Sequence, residues 1–337
     1  MASREFENPK GSTLARNLVT YRHLFNAMLL LVGSFAASNA LACSACGCTL
    51  SSDWASQGLA ASRGWRFDLR YDFFEQDQLR EGTHEVSRND FEFPNEREVQ
   101  RYTINRNAMF SLDYSPGKDW GVSVALPWFD RSHATIAEGD TEISTSHDRG
   151  IGDLRVLGRY SGFDAQRSTG ILFGLKLPTG NSNDVFESGP QQGEIVDRGL
   201  QLGSGTTDVI AGIYHFGAFA PDWGYFAQAL VQHALDSHDG FRAGDGINVN
   251  LGLRYTAGST WVPQLQVNVR AEERERGVNA DVENSGATLV FLSPGITWNP
   301  TRRLSLFAFV QAPIYQRVNG LQLEATQFAS LGLHYHF

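Results

Sequence analysis

The sequence has few cysteines, few charged residues and no apolar run long enough to form a bundle of membrane helices. Its three cysteines fall within six residues, so cysteine chemistry is confined to one short segment. Charged residues make up 19% of the 337 residues, below the roughly 25% of an average soluble protein. The mean hydropathy of -0.28 is nevertheless too polar for a helical membrane protein.

The chain also lacks an excess of basic residues. Lys and Arg number 28 against 37 Asp and Glu, which gives a formal net charge of -9. A nucleic-acid-binding protein would show a clustered basic face, so no nucleic-acid partner is expected. The 34 glycines follow no triplet period and there are 22 phenylalanines, which excludes a collagen-like or disordered chain.

The first 42 residues are typical of a secretory signal peptide. A basic leader precedes an apolar run at 27–37, and Ala40-Leu41-Ala42 provides a small-x-small cleavage site. A membrane anchor would need about twenty apolar residues, and this run is shorter. Cleavage there predicts a mature chain that begins at Cys43. Lipidation of Cys43 is an alternative, although Leu41 stands two residues before the cysteine instead of three.

Residues 63–337 consist of segments that alternate between apolar and polar side chains. In the segment 65–73, Trp65, Phe67 and Leu69 alternate with Arg66 and Asp68. Such alternation predicts strands with one apolar and one polar face, as in a soluble sandwich or a membrane barrel. Strand length favours the barrel, because the segments approach the length that crosses a hydrocarbon layer at a tilt.

Aromatic residues and loop lengths also favour a barrel in the outer membrane of a Gram-negative bacterium. Trp and Tyr cluster near strand ends, and short connections alternate with long ones. We therefore expect an all-β fold, a transmembrane antiparallel up-and-down barrel of about twelve strands, with both termini periplasmic. The expected long loops are 77–99, 131–149, 178–204, 235–244, 272–285 and 316–323. The final strand ends at Phe337, which resembles the assembly signal of outer-membrane barrels.

Alternation places a set of charged residues inside the barrel. Arg106 is an exception, since it falls on the apolar face of its strand. Twelve strands enclose a lumen whose width is intermediate between that of a barrel filled by side chains and that of an open porin. The charges can therefore form either a structural ion-pair network or a selectivity lining, and the loops 77–99 and 178–204 could fold inward as constrictions. The predicted lumen residues are Arg66, Asp68, Arg70, Asp72, Asp153, Arg155, Arg159, Lys176, Arg254 and Arg270.

Three glycine-containing motifs occur in a fixed order in the middle of the chain. They are Gly-Ile-Gly-Asp-Leu-Arg-Val at 150–156, Gly-Leu-Lys-Leu-Pro-Thr-Gly at 174–180 and Leu-Gln-Leu-Gly-Ser-Gly-Thr-Thr-Asp at 200–208. In this order and spacing they resemble the outer-membrane channel and transporter family named for the meta-pathway of phenol degradation. The resemblance implies uptake of a small-molecule solute that is hydrophobic or aromatic. The expected surroundings of the barrel are outer-membrane lipid, and no enzymatic activity is expected.

A cysteine cluster lies at the predicted mature terminus. Cys43, Cys46 and Cys48 form a Cys-x-x-Cys-x-Cys pattern whose thiolates could converge on a soft ion such as Cu(I) or Zn(II). A disulfide or redox-active pair is the alternative in an oxidising compartment. His334 and His336 share one face of the last strand and could complete a metal site, or simply face the lumen. The segment 43–62 could equally dock a periplasmic partner.

The function is therefore expected to be that of an outer-membrane channel for a small solute. Soft-metal handling, or redox or partner docking by the cysteine segment, is the second hypothesis. An outer-membrane hydrolase is the third, but the histidines His133, His147, His215 and His233 show no arrangement that pairs a histidine with a nucleophilic serine.

The metal hypothesis predicts stoichiometric copper or zinc in the mature protein when it is purified under reductant. Replacement of Cys43, Cys46 and Cys48 by serine removes the thiolate ligands and should abolish that metal content. Elemental analysis of the two proteins measures the effect. An equal metal content in both would contradict the hypothesis.

Overall fold

The computed structural model describes residue 57 and residues 63–337, except 118 and 259, and for 327 it describes only the backbone. The predicted signal peptide 1–42 and the segment with Cys43, Cys46 and Cys48 lie outside the described residues. Within the described part of the chain, no helix is long and apolar enough to span a membrane.

Thirteen strands and two short 3-10 helices form the described fold. The helices are Arg88–Asp90 and Arg198–Leu200. The strands are β1 (Gly64–Gly82), β2 (His84–Val86), β3 (Val99–Ser115), β4 (Trp120–Ile136), β5 (Ser144–Ile151), β6 (Leu154–Tyr160), β7 (Thr169–Leu177), β8 (Asp208–Ala220), β9 (Trp223–Ala234), β10 (Gly246–Tyr255), β11 (Trp261–Glu272), β12 (Ala287–Trp298) and β13 (Leu304–His336).

The strands form one closed antiparallel barrel. Each main strand pairs with its sequence neighbours, and β13 closes the sheet on β1 from Arg66↔His336 to Gly82↔Val318. β5 and β6 both pair with β4 and are two parts of one barrel strand, interrupted at Gly152 and Asp153. β13 supplies two barrel strands, since its first half pairs with β12 and its second half with β1. The barrel thus has the twelve strand positions predicted from the sequence.

The two faces of the wall differ as the alternation predicts. Large apolar side chains such as Trp120, Val122 and Val124 are exposed on the outer face, whereas their neighbours point inward. Aromatic pairs form a girdle at the end of the barrel with the short turns. The start of β1 and the end of β13 lie at this same end. The aromatic pairs include Trp65–Tyr114, Trp120–Tyr160, Trp223–Tyr255 and Trp261–Trp298, with ring centroids 4.6 to 5.5 Å apart. This arrangement matches the interfacial girdle of a membrane barrel.

Two of the expected long loops are wrong. The segment 131–149 is mostly strand, because β4 continues to Ile136 and β5 begins at Ser144. The segment 316–323 lies inside β13 and contains only a tight turn, in which Gly320 adopts a φ of +49°. The error has one cause: polar side chains that face the barrel interior in an extended strand resemble loop sequence when only composition is considered.

Gly174 in β7 is required by close contact with the neighbouring strand. A Cβ there would collide with the carbonyl oxygen of Val156 and lie 2.8 Å from Leu157 Cδ2. Because overpacking typically costs about 1–3 kcal/mol, we expect Gly174→Val to lower the thermal stability of the folded barrel. Leu175→Val on the outer face is the matched control. The gel-shift difference between heated and unheated samples measures folding, and equal melting of both variants would contradict the packing argument.

Candidate functional site in the barrel lumen

The three glycine motifs meet at the carboxylate of Asp153, which lies at the break between β5 and β6. Its Oδ1 accepts a hydrogen bond from the backbone N–H of Gly180 at 3.1 Å. Its Oδ2 accepts from the backbone N–H of Ser204 at 2.9 Å and from the Ser204 hydroxyl at 2.8 Å. One residue of each motif therefore takes part in a single cluster, which the sequence order alone did not reveal.

Lys176 adds the balancing positive charge to this cluster. Its Nζ lies 2.8 Å from Asp208 Oδ2 and 3.5 Å from Asp153 Oδ2. All three side chains are nearly fully buried. Thr206 also donates to Asp208 at 2.8 Å. The predicted lumen residues Asp153 and Lys176 are thus paired in the structure, and Asp208 is a partner that the sequence reasoning missed.

The cluster holds the chain segment 178–204 inside the barrel. Thr179 donates to the Gly152 carbonyl and accepts from the Leu154 N–H, both at 2.9 Å. Gly180 and Gly203 lie in backbone contact, because a Cβ on either would come within 2.7 Å of the other. The two ends of the segment are therefore fixed to the wall beside the strand break, and the segment between them folds inward.

Arg131 on β4 holds the C-terminal part of the same segment. Its Nη1 donates to the carbonyl oxygens of Leu200 and Gln201, and its Nε donates to Asn105 Oδ1 at 2.7 Å. The Arg131 side chain is buried, as are Leu200 and Gln201. Arg131 is not among the predicted lumen residues, although its place in the alternation puts it on the inner face.

The segment 77–99 packs against the wall at the long-loop end. Phe91 and Phe93, from the connection between β2 and β3, contact buried Leu79 and Val99. Leu321 and Leu323 of β13 complete this apolar cluster. Of the two segments expected as constrictions, 178–204 thus lies inside the barrel, whereas an inward position of 77–99 stays a prediction.

A cavity of about 170 Å³ lies between the inward segment and the barrel wall. Its apolar lining includes Met109, Pro127, Phe129, Leu202 and Phe241. Its charged lining includes Arg155, Lys176, Arg198, Arg270, Asp153, Glu272 and Glu275. The cavity therefore offers an apolar surface and several charged groups to one small molecule.

Two of the predicted lumen residues line this cavity with accessible side chains. Arg155 is exposed. Arg270 is half-buried and pairs with Glu272 at 2.6 Å, and it also donates to Asn248 Oδ1 at 3.2 Å. Unlike Lys176, these arginines present part of their surface to the space inside the barrel.

The predicted charges near the short-turn end form ion pairs. Arg66 and Arg159 converge on Asp113, with Arg159 at 3.1 Å, and both donate to Ser115 Oγ. Arg70 pairs with Asp72 at 2.8 Å. Asp113 and Ser115 are partners that the sequence analysis missed, because the matching position on a neighbouring strand depends on register. In this region the lining is a packed ion-pair network.

Arg254 differs from the other predicted lumen residues. Its side chain is 6% exposed, and within the described residues no carboxylate lies within ion-pair distance of it. Among the described residues, its Nε and Nη1 have no hydrogen-bond partner, and neither has Oε1 of its cross-strand neighbour Gln264. The described part of the chain thus places in the lumen wall, at the short-turn end, a cation that it does not pair with a carboxylate.

Loop carboxylates approach one another at the long-loop end. Burial, together with the nearby charges of Asp197 and Asp281, raises the pKa of Glu98 to about 7, although a hydrogen bond with Thr135 lowers it. Burial also raises the pKa of Asp197 to about 6. Because a raised carboxyl pKa disfavours the charged form, increasing pH through this range adds mutually repelling charges to the long-loop end.

The histidines are placed in structural contacts. His334 Nδ1 lies 2.5 Å from Asp68 Oδ1, so both predicted site residues are used in one pair. His336 pairs in register with Arg66. Buried His133 contacts Thr103 Oγ1 at 2.8 Å. No group of three or more His, Cys, Asp or Glu among the described residues is placed to hold a metal ion. Metal binding by the cysteine segment stays a prediction.

No family model matches the chain, and no curated protein sequence matches it. Solved structures, however, share its fold. An outer-membrane channel from Pseudomonas putida F1 aligns with a TM-score of 0.62 at 15% identity, covering 82% of this chain and 97% of that chain. The toluene transporter TbuX of Ralstonia pickettii aligns with a TM-score of 0.43 at 11% identity, covering 83% of this chain and 91% of that chain.

A mutant of TodX, described as a monoaromatic hydrocarbon channel, aligns with a TM-score of 0.47 at 10% identity, covering 83% of this chain and 92% of that chain. Of these three structures, the Pseudomonas putida channel has the highest TM-score, and its similarity at 15% identity establishes the fold alone. The resemblance to the phenol meta-pathway family stays a prediction. The chain has the closed, twelve-stranded antiparallel fold of outer-membrane β-barrels.

Proposed function

We propose that the protein is an outer-membrane channel for a small amphipathic solute. The end of the barrel with the short turns, where the first and last strands begin and finish, faces the periplasm. The observation that carries the proposal is the cavity inside the closed barrel, between the inward segment 178–204 and the wall. The apolar outer face and the aromatic girdle support the membrane placement.

The size of the cavity favours a solute with one ring or a short chain. An apolar cavity of about 150 Å³ is known to accommodate benzene, and the cavity here measures about 170 Å³. Phe129, Leu202 and Phe241 provide contacts for an apolar body. This supports the hydrophobic or aromatic solute that the sequence resemblance implies.

The charges around the cavity favour a solute that also carries a polar or anionic group. Arg155 and Arg270 have accessible surface there, whereas Asp153 is already bound by Gly180, Ser204 and Lys176. Arg254 supplies a further cation toward the short-turn end, and within the described residues its Nε and Nη1 have no hydrogen-bond partner. A carboxylate attached to an apolar body suits this arrangement, because arginine binds carboxylates through charge-assisted hydrogen bonds.

The first test concerns the inward segment. Arg131→Met removes the hydrogen bonds to Leu200 and Gln201, and two such bonds of roughly 1.5 kcal/mol each correspond to about a hundredfold larger population of the displaced segment. We expect more frequent and larger conductance steps in a planar bilayer. Arg317→Gln, an exposed outer-face change, is the control. Identical conductance in wild type and Arg131→Met would contradict a gating role for the segment.

The second test fills the cavity. Ala243 lines it, so Ala243→Phe should reduce uptake of labelled benzoate and toluene into proteoliposomes to the level of empty liposomes. Ala211→Phe adds the same ring on the exposed outer face and should leave uptake unchanged. A comparison of the two solutes measures the preference for an anionic group. Equal uptake by both variants would show that solutes do not pass through this cavity.

A further inference from the structure

Arg106 lies on the outer face of β3, where the sequence pattern calls for an apolar residue. The register places it directly opposite Asp130 of β4, and Asp130 directly opposite Arg149 of β5. Arg106 Nη1 lies 3.5 Å from Asp130 Oδ1, and Arg149 Nε lies 3.0 Å from Asp130 Oδ2. Three charged side chains thus form one row across the lipid-facing surface of the barrel.

The height of this row follows from the outer residues of β4. Below Asp130, the outward positions are Trp128, Leu126, Val124, Val122 and Trp120. The two tryptophans are eight residues apart, which corresponds to about 26 Å along a strand and about 20 Å across a membrane at a 40° tilt. Asp130 is the next outward residue, which places it about 25 Å above Trp120. The apolar band of an outer-membrane barrel is roughly 25 Å tall, so the row crosses β4 at the outer edge of the band.

The row carries more positive than negative charge. Two guanidinium groups share one carboxylate, and the side chains of Arg149 and Arg106 are 60% and 40% exposed, against 13% for Asp130. His147 Nε2 lies 3.0 Å from Asp130 Oδ1 and 3.1 Å from Arg149 Nε, so it belongs to the same cluster. Glu75 of β1 occupies the next outward row, and among the described residues it makes no ion pair with either arginine.

An uncompensated arginine on the lipid-facing side is unfavourable unless an anion meets it. The acyl chains cannot supply one, but the headgroups at the edge of the band can. A guanidinium binds a phosphate through two parallel hydrogen bonds. The row below, formed by Tyr71, Ala108, Trp128 and Ile151, is apolar and aromatic. It provides a surface for the part of a lipid that adjoins its phosphate.

We propose that Arg106 and Arg149 form a binding site for the phosphate of a lipid in the outer leaflet, namely the phosphorylated glycolipid lipopolysaccharide. Asp130 positions the two guanidinium groups by holding one on each side. The site rests on the proposed outer-membrane placement but not on solute passage. It gives a role to a charge that breaks the sequence pattern on the outer face.

The test compares lipid binding by wild type and Arg106→Gln/Arg149→Gln in detergent micelles, measured by native mass spectrometry and by titration of tryptophan fluorescence. We expect lipopolysaccharide to bind the double variant about tenfold more weakly. Arg317→Gln removes one exposed outer-face arginine from β13 and should bind as wild type does. Arg149→Gln alone, which keeps the Arg106–Asp130 pair, replaces the double variant if the latter does not fold.

Two further ligands distinguish the source of the phosphate. Dephosphorylated lipopolysaccharide should bind wild type as weakly as phosphorylated lipid binds the double variant. Inorganic phosphate at millimolar concentration should leave the bound lipid in place. Equal binding to all variants, or full displacement by inorganic phosphate, would overturn the proposal. Benzoate uptake by the same variants is expected to be unchanged, so a failure of the channel proposal would be visible separately.

Discussion

Closure of the sheet by β1 and β13 is the constraint on which the rest of the structure depends. In hydrocarbon no water is available to pair with backbone N–H and C=O groups, so a spanning sheet must have no free edge. The pairing of Arg66 with His336 through to Gly82 with Val318 removes that edge. Closure also separates the two faces of every strand, because alternate side chains then meet either lipid or the lumen.

The lumen of a twelve-stranded barrel is too narrow for many solvated charges. Asp113 is therefore shared by Arg66 and Arg159, and Lys176 lies between Asp153 and Asp208. A buried ion pair adds little net stability, yet loss of one partner costs about 3–5 kcal/mol. The value of the Lys176 cluster is thus positional: it fixes where the inward segment leaves the wall, and so where the cavity forms.

The strands and their inward charges could be predicted because alternation is a local property. The order Arg66, Asp68, Arg70, Asp72 is sufficient to place all four on one face. Their partners could not be predicted, because the pairing of Arg66 with Asp113, 47 residues further along the chain, depends on the register between β1 and β3. The convergence of the three glycine motifs on Asp153 was hidden for the same reason.

The misplaced loops have a related cause. Composition distinguishes a strand from a loop only where one face of the strand is apolar. Beyond the apolar band of the barrel, both faces of a strand can be polar. The part of β4 beyond Trp128 contains Asp130, Arg131, Ser132 and His133, which resembles loop sequence, yet it remains paired with β3 and β5.

Depth in the membrane also explains the position of Arg106 on the outer face. Within the hydrophobic band, the face of the strand decides which side chain is tolerated, so outward positions there are apolar. Beyond the band, depth decides, and outward charges become compatible with the headgroup layer. Arg106, Asp130 and Arg149 share one register row just past Trp128. Because the strands are tilted, their depths differ by roughly 3 Å from one strand to the next. These residues lie near the boundary between the hydrocarbon and the headgroups. An outward charge that breaks the alternation therefore indicates the depth of the barrel in its membrane.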